Sequence, residues 1–149
     1  MISIGSDHAG FPLKEEIKKF LDEKGVEYKD VGCYSTESTD YAISAQKACD
    51  LVVSGECDKA VLVCGTGIGI SMAANKVKGI RAAACSDYFG AKYARLHNDA
   101  NCLCLGARIT GVGSAIELVD VFLNTEFEGG RHQRRIDQIA DIQNGKKLY

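Results

Sequence analysis

The 149-residue chain carries 18 Lys and Arg against 20 Asp and Glu, a formal net charge of -2, so it has no broad positive field to gather nucleic acid or an anionic membrane, and any anion must be bound by local groups. Its length suits one domain over residues 1–149, large enough to bury roughly 70% of the surface its unfolded chain exposes without a metal or disulfide staple. Seven cysteines, at 33, 49, 57, 64, 85, 102 and 104, form no C-x-x-C pair, which suits a reducing, cytoplasmic compartment.

The apolar run Ile2 to Ser6 reads as a first strand with no basic leader ahead of it. Pro12 then suits a helix first turn, Leu13, Ile17, Phe20 and Leu21 make one helical face, and Gly25 stops it. Glu27 to Val31 predicts a second strand, and Ala42, Ala45, Cys49 and Val52 a second helix ending near Gly55. Ala60 to Val63 is a third strand, followed by the loop Cys64-Gly65-Thr66-Gly67-Ile68-Gly69 and a helical stretch from Ser71 to Lys76. Ile80 to Cys85 and Asn101 to Leu105 read as strands four and five, separated by a helix from Tyr88 to Arg95. Gly111 to Leu123 predicts a further helix, and Ile136, Ile139 and Ala140 mark a last one. The apolar runs are too short and interrupted to span a membrane.

Alternating strands and helices with doubly apolar strands predict an α/β chain: a three-layer α/β/α arrangement on a five-stranded parallel sheet. Ligands of such sheets gather beyond the carboxyl ends of the strands. Asp7 and His8 follow the first strand, the Cys64 loop the third, Asp87 the fourth and Arg108 the fifth. A dinucleotide site fits poorly, because the loop is G-x-G-x-G after the third strand and Ile70 stands at the third-glycine position. A phosphate-binding P-loop fits worse, since Gly5 to Gly10 is followed by Phe11-Pro12 in place of Lys and Ser or Thr.

Cys64 at a strand-to-helix handover is a candidate catalyst, since the glycines turn several backbone N–H groups toward one point, where they favour thiolate and any adjacent oxyanion. The competing reading is a buried strand-end cysteine with a packing turn. Arg131 and Arg135, four residues apart, share a face if their segment is helical, and two guanidinium forks suit a phosphate; a solvated basic face is the alternative. His97 supplies an imidazole able to exchange a proton near neutral pH. Cys102, Cys104 and His97 lack tetrahedral ligand spacing, so no metal site is expected.

Seven segments in order carry a specific resemblance: Asp7-His8-Ala9-Gly10-Phe11, Thr39-Asp40-Tyr41, Cys64 to Ser71, Ala74-Asn75-Lys76, His97 to Asn101, Leu105-Gly106-Ala107-Arg108 and Gly129 to Arg135. Together, from residue 2 to about 136, the chain resembles the B-type ribose-5-phosphate isomerases. Ala42 departs from the pattern, which has proline after Thr-Asp-Tyr. The resemblance implies interconversion of ribose 5-phosphate and ribulose 5-phosphate through a cis-enediolate, without metal or cofactor. It implies Cys64 as the base, with Thr66 and the backbone of Gly65, Gly67, Ile68, Gly69 and Ser71 around the enediolate, and His97 in ring opening. Asp7 and Asn98 would hold sugar hydroxyls, His8, Arg108, Arg131 and Arg135 the phosphate, and Tyr41 would line the pocket. The implied partner is a small sugar phosphate, and the implied assembly is a homodimer with shared active sites, with a tetramer left open. The expectation is that His97, Asn98 and Arg108 reach across to the partner's Cys64 loop. A six-carbon sugar-phosphate isomerase and a non-catalytic sugar-phosphate sensor are the rival readings.

Overall fold

The computed structural model describes residues 1–149. In chain order the elements are β1 (Ile2–Ser6), α1 (Phe11–Lys24), β2 (Tyr28–Asp30), α2 (Tyr41–Val53), β3 (Lys59–Cys64), α3 (Ile68–Ala74), β4 (Ala82–Ala84), α4 (Tyr88–Asn98), β5 (Cys102–Gly106), α5 (Val112–Asn124) and α6 (Arg131–Gln143). The strands form one sheet in the order β2-β1-β3-β5-β4, with every pairing parallel. The expected α/β/α layering is therefore the observed one. No helix is long and apolar enough to cross a membrane.

Period-2 alternation divides the core between the two faces of the sheet. Ile2, Ile4, Val61, Val63, Leu103 and Leu105 pack with α1, α4 and α5. Ala60, Leu62, Cys64, Cys102 and Cys104 pack with α2 and α3. Burying each large aliphatic side chain here contributes about 1.5–3 kcal/mol, which holds β3 and β5 rigidly at the centre. Cys64 pairs in register with Gly106, and Ser6 with Val63, so the ends of β1, β3 and β5 open on one crevice. The chain crosses from β1 to one side of the sheet and continues from β3 to the other, the topology that leaves a ligand crevice at the switch point.

Two predicted strands are shorter than expected. Each is an edge strand with a single neighbour; three residues of each pair in regular register, while the flanking Glu27, Val31 and Cys85 keep only single backbone bonds to β1 or β5. The helix after the glycine loop begins at Ile68, ahead of Ser71, because Gly67 takes a left-handed conformation at φ 76 and turns the chain at once into α3. The fourth helix extends past Arg95 to Asn98, where Asp99 closes it at φ 44. Arg95 Nη1 donates to the Asp99 carboxylate at 2.8 Å, and Arg81 holds the same group.

Two close approaches position the mouth. A Cβ on Gly10 would stand 2.2 Å from the Val63 carbonyl oxygen, so α1 begins directly against the end of β3. A Cβ on Gly106 would stand 2.6 Å from the Thr66 carbonyl carbon, so β5 runs directly under the glycine loop.

Candidate active site

Cys64 ends β3 and is a buried residue, 4% exposed, at the start of the loop that follows. The Gly67 N–H donates to Cys64 Sγ at 3.1 Å, an arrangement that favours negative charge on sulfur. The Ile68 N–H donates to Thr66 Oγ1 at 3.2 Å, which leaves the Thr66 hydroxyl hydrogen free for another acceptor. Ser71 turns inward, its hydroxyl donating to the Ile68 carbonyl at 2.7 Å, and braces the first turn of α3.

Around this loop stand groups from three other segments. Asp7 is buried and accepts the Gly10 N–H at 2.9 Å, fixing the turn between β1 and α1. Beside it, His8 Nδ1 lies 3.1 Å from the Thr39 backbone nitrogen and 3.2 Å from the Thr39 carbonyl oxygen, so the Thr39 backbone orients the ring. Tyr41, the first residue of α2, lies over Gly69, where a Cβ would meet its ring at 2.8 Å. Ala42 enters the first helical turn without the expected proline, so the departure at this position does not displace Tyr41 from the loop. The Arg108 N–H donates to the Gly65 carbonyl at 3.0 Å, and its guanidinium folds over Gly65, with Nη1 3.2 Å from where a Cβ would stand. Asp87, also at the carboxyl edge, spends its carboxylate on capping α4 through the Gly90 N–H at 2.7 Å.

The remaining predicted residues lie at the opposite edge of the sheet. His97 and Asn98 end α4, which runs back toward the amino ends of the strands and precedes Cys102. From Cys102 to Gly106, the position level with Cys64, β5 advances about 13 Å at 3.3 Å per residue. Arg131 and Arg135 begin α6, both exposed, next to His132, whose ring stacks on His97. The structure thus brings Asp7, His8, Tyr41, the Cys64 loop and Arg108 together, and His97, Asn98, Arg131 and Arg135 together, but not the two groups within one chain. Within the chain, Arg108 sits on its own Cys64 loop, apart from His97 and Asn98. The cause is topological: Arg108 directly follows a strand, whereas His97 and Asn98 end a helix.

One cluster offers three possible metal ligands: His97, Glu128 and His132 place ligand atoms within 4.8 Å of one another. The two imidazoles are stacked 17° from parallel. Their in-plane lone pairs consequently run side by side and do not converge on one tetrahedral ion. The sequence reading also missed Gly10, Gly106, Glu128 and His132. The glycines lay inside quoted motifs, but the backbone they face is known only once the strand order is.

A family model described as ribose/galactose isomerase matches residues 2–139. Ribose-5-phosphate isomerase B of Escherichia coli (strain K12) is 48% identical over 142 residues, covering 95% of each chain. Among solved structures, that of Clostridium thermocellum ribose-5-phosphate isomerase B superimposes with a TM-score of 0.95 at 49% identity, covering 97% of each chain. Ribose-5-phosphate isomerase B of Mycoplasma genitalium, solved with bound ribulose 5-phosphate, gives a TM-score of 0.91 at 43% identity, covering 96% of this chain and 95% of that one.

Proposed function

The chain belongs to the ribose/galactose isomerase family, and from that membership we propose that it interconverts ribose 5-phosphate and ribulose 5-phosphate, as a single isomerase unit over residues 1–149. The observation that carries this reading is the Cys64 thiol accepting a backbone N–H inside a glycine loop at the crevice of a parallel sheet.

With the aldose open, the Cys64 thiolate removes the proton from C2 and leaves a cis-enediolate; the same proton returns to C1 while the C2 hydroxyl proton passes to the C1 oxygen, giving the C2 ketone and the C1 hydroxyl. Backbone N–H groups of the Gly65 to Gly69 loop and the Thr66 hydroxyl stabilise the negative oxygen. Asp7 accepts from a sugar hydroxyl, and Tyr41 and Ser71 shape the wall of the pocket. His8 and Arg108 take the phosphate. His97 opens the furanose ring, Asn98 holds a hydroxyl, and Arg131 and Arg135 complete the phosphate clamp. Because these last four lie at the far edge of their own sheet, a second copy supplies them, and the working unit is a homodimer with two shared sites. Exposed apolar side chains on the elements flanking the mouth support such an assembly: Ile68, Met72, Tyr88 and Phe89 are each more than half exposed. No step calls for a metal or cofactor. The unpaired cysteines at scattered positions support a reducing, cytoplasmic setting.

The test is a coupled assay for ribulose 5-phosphate formation from ribose 5-phosphate, run beside allose 6-phosphate and after prolonged chelation. The expected outcome is turnover, higher kcat/KM for the five-carbon sugar and a rate indifferent to EDTA. A preference for the six-carbon sugar would reassign the substrate, no turnover would make the protein a sensor, and loss on chelation with recovery on adding zinc or magnesium would overturn the cofactor-free chemistry.

A further inference from the structure

His132 lies inside the Arg131 to Arg135 segment, yet neither phosphate binding nor ring opening employs it. Its side chain is only 10% exposed, and a buried imidazole is costly unless its contacts compensate. Those contacts converge on His97. The two rings stack with centroids 4.2 Å apart. His132 Nε2 lies 3.2 Å from Glu128 Oε2, and that oxygen is 3.9 Å from His97 Nε2. Tyr93, one helical turn before His97, meets its ring edge-on at 4.7 Å and 81°, and is itself stacked on Phe89 at 4.1 Å. The backbone secures the second segment, since the Glu128 N–H donates to the Leu96 carbonyl at 3.1 Å. Gly130, at φ 56, then turns the chain so that α6 starts with His132 beneath His97.

We propose that His132 and Glu128 are positioning residues that hold the His97 imidazole in the orientation ring opening requires. This rests on the assignment of His97 made above. His97 ends a helix with its side chain 37% exposed, a place where a side chain retains several rotamers. A proton-transfer group must be held to about half an ångström and 10–20°. The His132 ring on one side and the Tyr93 edge on another leave His97 one orientation, and Glu128, its carboxylate 3.2 Å from His132 Nε2, keeps the supporting ring from turning.

The experiment measures initial rates in both directions on the full-length protein for Glu128→Gln, His132→Ala and His132→Phe, singly and combined with His97→Asn. Glu128→Gln and His132→Ala are expected to lower kcat on ribose 5-phosphate about ten- to hundredfold, the scale of a misplaced catalytic group. KM should stay near the wild-type value, and loss from open-chain ribulose 5-phosphate should be smaller. Neither substitution should cost anything further in the His97→Asn background, and His132→Phe, which restores a stacking ring, should recover part of the rate. Unchanged kcat in Glu128→Gln and His132→Ala, or losses that multiply fully with that of His97→Asn, would overturn the proposal. If His132→Ala does not fold, Glu128→Gln at its exposed position decides alone. Normal ring opening in His97→Asn itself would instead remove the assignment of His97, and the positioning role with it.

Discussion

A main-chain amide 3.1 Å from Cys64 Sγ separates this cysteine chemically from the others. Hydrogen bonding with Cys102 and burial push the Cys49 thiol up, burial raises Cys57, and burial followed by the Asp87 charge takes Cys85 up to about 11. The bond with Cys104 raises Cys102 as well. These four are held as neutral thiols, suited to packing and unsuited to base catalysis. Cys64→Ala is therefore expected to lose at least about a thousandfold in kcat, within the range for removal of an acid or base group, while substrate binding measured by calorimetry persists. A folded variant with Ala or Val at the six other positions should keep its activity. Near-normal turnover by Cys64→Ala would move the base elsewhere. The glycine loop made Cys64 a candidate from sequence, but a strand-end thiol reads equally well as core, and it was the ordered set of seven motifs that favoured catalysis. What sequence could not supply was the reason for Gly10 and Gly106, whose missing side chains matter only because β3 and the Thr66 backbone pass within bonding distance of where a Cβ would be.

Among the elements, the tie between α1 and β2 shows how a remote ion pair serves the site. Lys14 is fully buried, and its Nζ donates to both oxygens of Asp30, at 2.7 and 2.9 Å, and to the Cys33 carbonyl. The segment anchored there runs on to Thr39, whose backbone orients His8. Burial works against ionisation of Asp30, but hydrogen bonds from Lys14, Lys18 and the Gly32 N–H outweigh it, so its carboxyl lies below the ordinary 3.8. A depressed carboxyl contributes stability that is complete above its unfolded value and is lost as the pH falls through its folded one. Asp30→Asn strands the Lys14 ammonium and should cost about 3–5 kcal/mol at pH 7. In urea unfolding the gap to wild type should begin to narrow as the pH falls below the unfolded value of 3.8 and close further as it passes through the lower folded one; a gap independent of pH would refute this account. Legibility at this scale followed periodicity. The central strands and α1, with its Pro12 start and Gly25 stop, matched their patterns. The edge strands β2 and β4 are shorter than their patterns, because each has one neighbour and its outer residues Glu27, Val31 and Cys85 keep only single backbone bonds to it. Strand and helix alternation alone puts the end of a helix and the end of a strand at opposite ends of the sheet, which separates Arg108 from His97 and Asn98 within one chain.

For the molecule as a whole, the decisive fact is that the two groups of predicted residues occupy opposite edges of one sheet, about 13 Å apart along β5 alone. A sugar phosphate of five carbons cannot bridge that distance through a packed core. A two-fold axis can, because in an isologous pair each edge meets the other copy's opposite edge, and every cross-contact is made twice. Cys64, His8 and Arg108 would then come from one copy, and His97, Asn98, Arg131 and Arg135 from the other. Co-refolding Cys64→Ala with His97→Ala tests this directly. Each variant alone has both of its sites crippled, but a mixed dimer holds one site with both native groups and one with neither, so activity should return on mixing, toward half the wild-type value per mixed dimer. Pairing Cys64→Ala with Arg135→Ala should restore activity in the same way, because α6 travels with His97. Pairing Cys64→Ala with Arg108→Ala should not, because both changes fall on the same half-site. Differently tagged subunits that co-purify yet stay inactive with His97→Ala would place Cys64 and His97 in one chain. Restoration with Arg108→Ala would return Arg108 to the crossing group and show that the guanidinium folded over Gly65 swings away to serve the neighbouring site.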